Sequence, residues 1–393
     1  MCMNRLVFVG AATVLLTMST AMAAESSTPY EVAVYYCPVY HPDPRNDERL
    51  GKGWTEWKLS KAGVPRYADH AQPKVPSWGY EDESDPGVMA KKIDAAADHG
   101  VTAFIFDWYW HEIGPFLDRA LEKGFLAAPN RGRIKFALMW ANHDWTDVFP
   151  AKKDVVPPLL YPGAVSRQAF DKATDHIVRH YFSQPNYWKI DGKPYFSIYE
   201  AWTLIDGLGG RDKAREAIES FRAKARAAGL PGVHLNAVGW GRLDNEMIRS
   251  LGFDSVTSYC WVHHAGLPEH MPYDRWARQS SEMWSTLKAK WPVPYFPNVS
   301  MGWDNTPRFA WGKTVTGNTP AEFRKALERA KGFLDEQKTG PRIVTINAWN
   351  EWTEGSYLEP DTTHEMAYLE AIQAVFPPAA GSSGGAAVEP LPD

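Results

Sequence analysis

Two carboxylates stand three positions apart, each beside tryptophan or a turn glycine, in the stretch Trp349-Asn350-Glu351-Trp352-Thr353-Glu354-Gly355. The run before it, Ile343-Val344-Thr345-Ile346, is β-branched and reads as a buried strand. Gly355 permits a sharp turn after it. Paired acids at the mouth of a strand suit cleavage of a glycosidic bond. One carboxyl protonates the leaving oxygen and the other serves as base or nucleophile. Indole faces stack on the C–H surfaces of sugars. The competing reading of Glu-x-x-Glu is a solvated charge pair on a helix surface, and the strand and flanking tryptophans weigh against it.

Acids of this kind need a scaffold, and the chain supplies a repeating one. Buried-strand runs fall at residues 31–36, 101–106, 134–139, 195–200, 233–238, 255–259 and 293–299, and the eighth, 343–346, leads into Glu351. Amphipathic or capped helical segments fall between them at 89–99, 113–123, 167–181, 211–228, 245–250, 273–290 and 320–337, with a closing helix at 365–375. The expected fold is α/β: a single (β/α)8 TIM barrel with a long loop, residues 37–86, after strand 1. A doubly wound open sheet is the alternative, but it would bring a glycine-rich phosphate fingerprint after the first strand, and none stands there. In a barrel, residues at the C-terminal strand ends converge on one mouth. Here those ends carry Trp, Tyr, Asp, Asn or Glu.

Composition narrows the partners. A net charge of −5 without a basic patch disfavours nucleic acid and anionic membranes. The 18 tryptophans, 17 tyrosines and 17 phenylalanines favour a carbohydrate partner. Residues 1–23 read as a signal peptide, with Arg5, an apolar run and Ala21-Met22-Ala23, so a periplasmic or secreted protein without a membrane span is expected. The remaining cysteines, Cys37 and Cys260, are expected as free buried thiols. No C-x-x-C, H-E-x-x-H or histidine cluster calls for a metal, and no cofactor is expected. Residues 24–376 should form one monomeric domain, followed by a disordered tail at 377–393 rich in Pro, Gly, Ala and Ser.

At this point the motifs add up to a resemblance. The segment from Trp349 through Glu359-Pro360-Asp361 resembles the closing signature of WbsX-type, glycoside hydrolase family 99-like proteins. Tyr35-Tyr36-Cys37-Pro38, Gly53-Trp54-Thr55-Glu56-Trp57, His70-Ala71-Gln72-Pro73 and Gly79-Tyr80 follow the same pattern in order, so the likeness runs from residue 34 to 361. It implies a (β/α)8 barrel related to endo-α-mannosidases. It also implies Glu351 as base on the sugar 2-hydroxyl, Glu354 as acid, a 1,2-anhydro intermediate and net retention. Thr353 stands where the endo-α-mannosidase branch carries histidine, and Asp107 and Cys37 where WbsX proteins carry Tyr and Phe. These departures bear on the substrate. Two other readings stay open: a glycosyltransferase, as WbsX proteins are often labelled, and a barrel that binds glycan without cleaving it. Export weighs against the first, because nucleotide-sugar donors are cytoplasmic.

The expected sugar-binding set is Glu56, Trp57, His70, Asp107, Tyr109, Trp110, Trp140, Asn142, Tyr199, Trp240, Trp303 and Asn350. Glu200 is the reserve acid, and Glu359 is read as structural. For Trp110 and Trp140 a place in the core competes with a place in the cleft.

Overall fold

The computed structural model describes residues 29–266, 270–337 and 339–378. The expected signal peptide and all of the expected tail except Pro377 and Pro378 lie outside the described residues. Eight parallel strands form the core: β1 (Tyr30–Tyr36), β2 (Ala103–His111), β3 (Lys135–Trp140), β4 (Lys193–Ile198), β5 (His234–Val238), β6 (Ser255–Thr257), β7 and β8 (Arg342–Asn347). Strand β7 is in two pieces, Tyr295–Phe296 and Asn298–Ser300, divided at Pro297. Its first piece pairs with β6 and its second with β8, which closes the ring. β1 lies between β8 and β2, with Tyr30 opposite Arg342 and Ala33 opposite Ala103. Proline has no N–H for a ladder, so a break at Pro297 follows from its chemistry.

Helices cover the ring. They are α1 (Pro44–Leu50), α2 (Trp57–Ala62), α3 (Pro86–Asp98), α4 (Arg167–His176), α5 (Ala201–Gly207), α6 (Arg211–Ala227), α7 (Asn245–Leu251), α8 (Val262–Ala265), α9 (Tyr273–Lys290), α10 (Pro320–Asp335) and α11 (Ala367–Val375). Their starts are written in the sequence. Asp85, Ser166, Asp244 and Thr319 cap α3, α4, α7 and α10 through side-chain oxygens, and proline opens α3 and α10. α10 buries Phe323, Ala326, Leu327, Ala330 and Leu334, the stripe of an amphipathic helix. Among the described residues no helix is long and apolar enough to cross a membrane.

One expectation is corrected. Residues 113–123 are not a helix. β2 runs on to His111, turns at Gly114 with φ +107°, and a short strand Gly114–Phe116 pairs back on it. Only Ala120–Phe125 is helical, as a π turn. The glycine-proline pair that makes this hairpin lies inside a helix-like apolar pattern. The expected long loop after β1 carries α1 and α2 within it.

Candidate active site

The acidic stretch folds as a hairpin at the C-terminal end of the barrel. Asn350–Glu351 pairs antiparallel with Ser356–Tyr357, and Trp352–Glu354 is a 3-10 turn between them. Gly355 closes the turn at φ +61°, where a Cβ would come 2.7 Å from Asp304 Cβ, so glycine is required twice over, by backbone and by space. Asp304 N–H donates to the Glu354 carbonyl at 2.6 Å, which pins the turn. The two acids face a cavity of about 650 Å³.

Behind the turn lies a buried polar cluster. Lys92 Nζ contacts Glu83 at 2.7 Å and Glu359 at 2.6 Å. Glu83 accepts from Asn350 Nδ2 at 2.7 Å, and Glu359 accepts from the indole N–H groups of Trp349 and Trp352 at 2.9 and 2.7 Å. Asn350 also accepts from Cys37 N–H at 2.8 Å. The residues on both sides of Glu351 are therefore fixed from the rear by a lysine on α3.

In front, Arg308 gathers three carboxylates. Its Nη1 lies 2.6 Å from Glu354 Oε1, and its Nη2 lies 2.8 Å from Glu56 Oε2 and 3.4 Å from Glu351 Oε2. Thr353 Oγ1 donates to the same Glu56 oxygen at 2.6 Å. On the other side, Tyr259 Oη lies 2.8 Å from Asp107 Oδ2 and 3.2 Å from Glu351 Oε1. Burial is the main cause that pushes the Glu354 carboxyl up to about 8, with the Glu351 charge adding to it and Arg308 opposing. Burial also raises Glu351, against the pull of Arg308. Asp107 is raised well above the usual range, first by burial and then by Glu351. The donor atoms of Cys37, Asp107 and Glu351 lie within 4.8 Å of one another.

Of the expected residues, Glu56, Asp107, Tyr109, Tyr199, Trp240, Glu351 and Glu354 line the cavity, and so does the reserve acid Glu200. The others do not. Trp140 is 1% exposed, donates its N–H to the Trp110 carbonyl and packs on Trp108 and Phe170. Trp110 stacks on Trp108 and meets His176 of α4. The reason is strand parity. Asp107 and Tyr109 of β2 face the mouth, so Trp108 and Trp110 face the helix layer. Trp57 is buried against Tyr40 and Trp352, with its N–H on the Glu81 carbonyl. His70 is a buried partner of Asp304 at 2.9 Å, next to Gln72 at 2.6 Å, and ties the long loop to the segment after β7. Asn142 holds the Glu200 backbone through both its N–H and carbonyl, at 2.8 Å each. Trp303 borders a smaller neighbouring groove with Phe309 and Trp311. Asn350 is behind the acids, as described.

Sequence reasoning missed Arg308, Tyr259 and Cys37 as site members. Arg308 carried one weak signal, a cation in an aromatic loop after β7. Both cysteines are free and buried, as expected.

The family model for glycosyltransferase WbsX matches residues 32–372. An uncharacterized protein WxcX of Xanthomonas campestris pv. campestris is 29% identical over 373 residues, which are 90% of this chain and 50% of that protein. The chain thus spans about half the length of the curated relatives it matches. Among solved structures, a GH99 endo-alpha-mannosidase from Bacteroides thetaiotaomicron aligns with a TM-score of 0.55 at 16% identity, covering 88% of this chain and 95% of that one. A glycoside hydrolase-like protein aligns with a TM-score of 0.59 at 15% identity, covering 94% and 98%. The likeness to these solved structures is one of fold, a (β/α)8 barrel.

Proposed function

This chain belongs to the WbsX family, and from that premise we propose that it is a retaining glycoside hydrolase with Glu351 and Glu354 as its working acids. The observation that carries the reading is the pairing of Glu351 and Glu354 in one cavity at the barrel mouth, both facing Arg308. The Glu354 carboxyl, titrating near 8, still holds its proton at neutral pH, as a general acid must. Its Oε1 accepts from Arg308, which leaves Oε2 to present the proton. Arg308 and the Tyr259 hydroxyl both face Glu351 and stabilise it as a carboxylate.

The step we favour uses the sugar's own 2-hydroxyl. Glu351 takes the 2-hydroxyl proton, O2 attacks the anomeric carbon, and Glu354 protonates the departing oxygen. Water then opens the 1,2-anhydro ring, giving its proton to Glu354, while Glu351 returns its proton to O2. Two displacements give net retention. An α-mannosidic glycan is the proposed substrate, on the motif resemblance and on the GH99 neighbour's fold. The N-terminal segment, read from sequence as an export signal, supports a glycan outside the cytoplasm as the substrate. Residues 24–376 are proposed as one catalytic unit.

Incubation with α-mannan fragments, with and without nucleotide-sugar donors, tests the reading. Reducing ends released without a donor support hydrolysis, whereas transfer that requires a donor would favour the family's glycosyltransferase description. A covalent glycosyl ester trapped on Glu351 by a 2-fluoro sugar would replace the substrate-assisted step with an ordinary nucleophile.

A further inference from the structure

Next to the proposed acid pair lies a second chemical grouping. Sγ of Cys37 and a carboxylate oxygen each of Asp107 and Glu351 lie within 4.8 Å of one another, and all three residues are buried. Cys37 directly follows β1, Asp107 lies on β2 beside it, and Glu351 lies on the hairpin beyond β8, the other neighbour of β1. Three paired backbone segments thus aim one soft and two hard donors at one point.

The grouping is short of positive partners. Among the described residues Asp107 Oδ1 has no hydrogen-bond partner, although Asp107 is 3% exposed. Tyr259 Oη faces both Asp107 Oδ2 and Glu351 Oε1, and its single proton serves one of them at a time. Arg308 stands at the opposite oxygen of Glu351 and is engaged with Glu56 and Glu354. The Cys37 thiol also faces Glu351 as a donor, so Asp107 Oδ1 is the acceptor left open, and a cation that displaced the thiol proton would meet it together with Glu351.

We propose that Cys37, Asp107 and Glu351 bind one thiophilic divalent cation, Zn²⁺ or Cd²⁺ in character, with water as the fourth ligand. Tetrahedral zinc with ordinary Zn–S and Zn–O bonds sets ligand atoms roughly 3.5 Å apart. From separations within 4.8 Å the three donors therefore close by up to about 1.3 Å on binding, within reach of side-chain rotation. The thiol proton leaves to solvent as Sγ ligates. Mg²⁺ and Ca²⁺ are poor candidates, since they demand six or more oxygens. The consequence rests on the hydrolase reading: a bound cation occupies Glu351 and stops it acting as base, so the site is inhibitory. Binding itself does not depend on that reading.

The test uses the full chain, stripped of metal with EDTA and titrated with Co²⁺. Thiolate ligation gives a near-ultraviolet charge-transfer band, and tetrahedral geometry gives intense visible bands. We expect one equivalent to develop both, and Zn²⁺ to bleach them while raising the melting temperature by mass action. Cys37→Ser should lose the charge-transfer band and weaken Zn²⁺ binding about tenfold or more. Cys260→Ser, outside the three donors, should keep the band. Asp107→Asn should keep it at reduced affinity, and this variant serves if Cys37→Ser does not fold. Absence of the band at one equivalent, or its survival in Cys37→Ser, overturns the proposal. Full hydrolysis with zinc bound would overturn the inhibitory role alone. Failure of the metal-free protein to hydrolyse any glycan bears on the proposed function and leaves the cation site standing.

Discussion

Replacing Glu354 with glutamine removes one proton and nearly nothing else. The amide keeps the size of the acid, and its carbonyl still accepts from Arg308 Nη1, which stands 2.6 Å from Oε1 in the native chain. The fold should therefore be unchanged. With a pKa of about 8, the wild-type acid is about nine-tenths protonated at pH 7 and about one-tenth at pH 9. Wild-type kcat/KM should then fall about tenfold per pH unit above 8. General acid catalysis contributes about 10²–10⁴-fold in rate, or roughly 3 to 5 kcal/mol. Glu354→Gln should lose that factor on a glycan, whose leaving alkoxide needs the proton. On an activated aryl glycoside, whose leaving group departs unaided, it should lose much less, and its alkaline limb should vanish. The assay is initial rate against pH on both substrates. The reasoning fails if the variant stays within a few-fold of wild type on the glycan, or if the limb near pH 8 persists without the carboxyl.

Four further outcomes follow from the same coordinates. Arg308→Met removes a cation that favours the ionised forms of both acids, so both should titrate higher and the pH optimum should move to the alkaline side; an acid-side shift in the rate profile would contradict this. Trp140→Ala should cost about 3–5 kcal/mol in urea unfolding as a core truncation, whereas Trp240→Ala should chiefly weaken glycan affinity measured by titration calorimetry; the reverse pattern would undo the placement of both rings. Lys92→Met leaves Glu83 and Glu359 buried without their cation and should destabilise by about 3–5 kcal/mol, and a loss below about 1 kcal/mol would show that the cluster does not need it. Limited proteolysis followed by mass spectrometry should trim only the tail and the loop after β1, and a stable fragment ending near mid-chain would argue for two units.

The sequence by itself determined the barrel and the acid pair. Alternating β-branched runs and capped amphipathic helices are local signals, and local signals survive without tertiary information. The stretch from Trp349 to Gly355 was legible because its acids, its indoles and its turn glycine are contiguous, and the hairpin they form is short-range. Strand parity was legible in principle too. Once Asp107 faces the mouth, Trp110 cannot, and Trp140 follows the same rule on β3 beside Met139 and Ala141, which line the cavity.

Only the tertiary structure decided how the acids are tuned. Arg308 lies 252 positions from Glu56 and 43 from Glu351, and Tyr259 lies 152 from Asp107, so no window of sequence contains either contact. His70 looked like a loop residue at a sugar site, and the fold instead gave it to Asp304, 234 positions away. Closing the ring brings the segments after β1, β6, β7 and β8 to one mouth. Burial there, with three carboxyls around one guanidinium, is what raises the Glu354 carboxyl, and burial is a property of the closed barrel rather than of any residue in it.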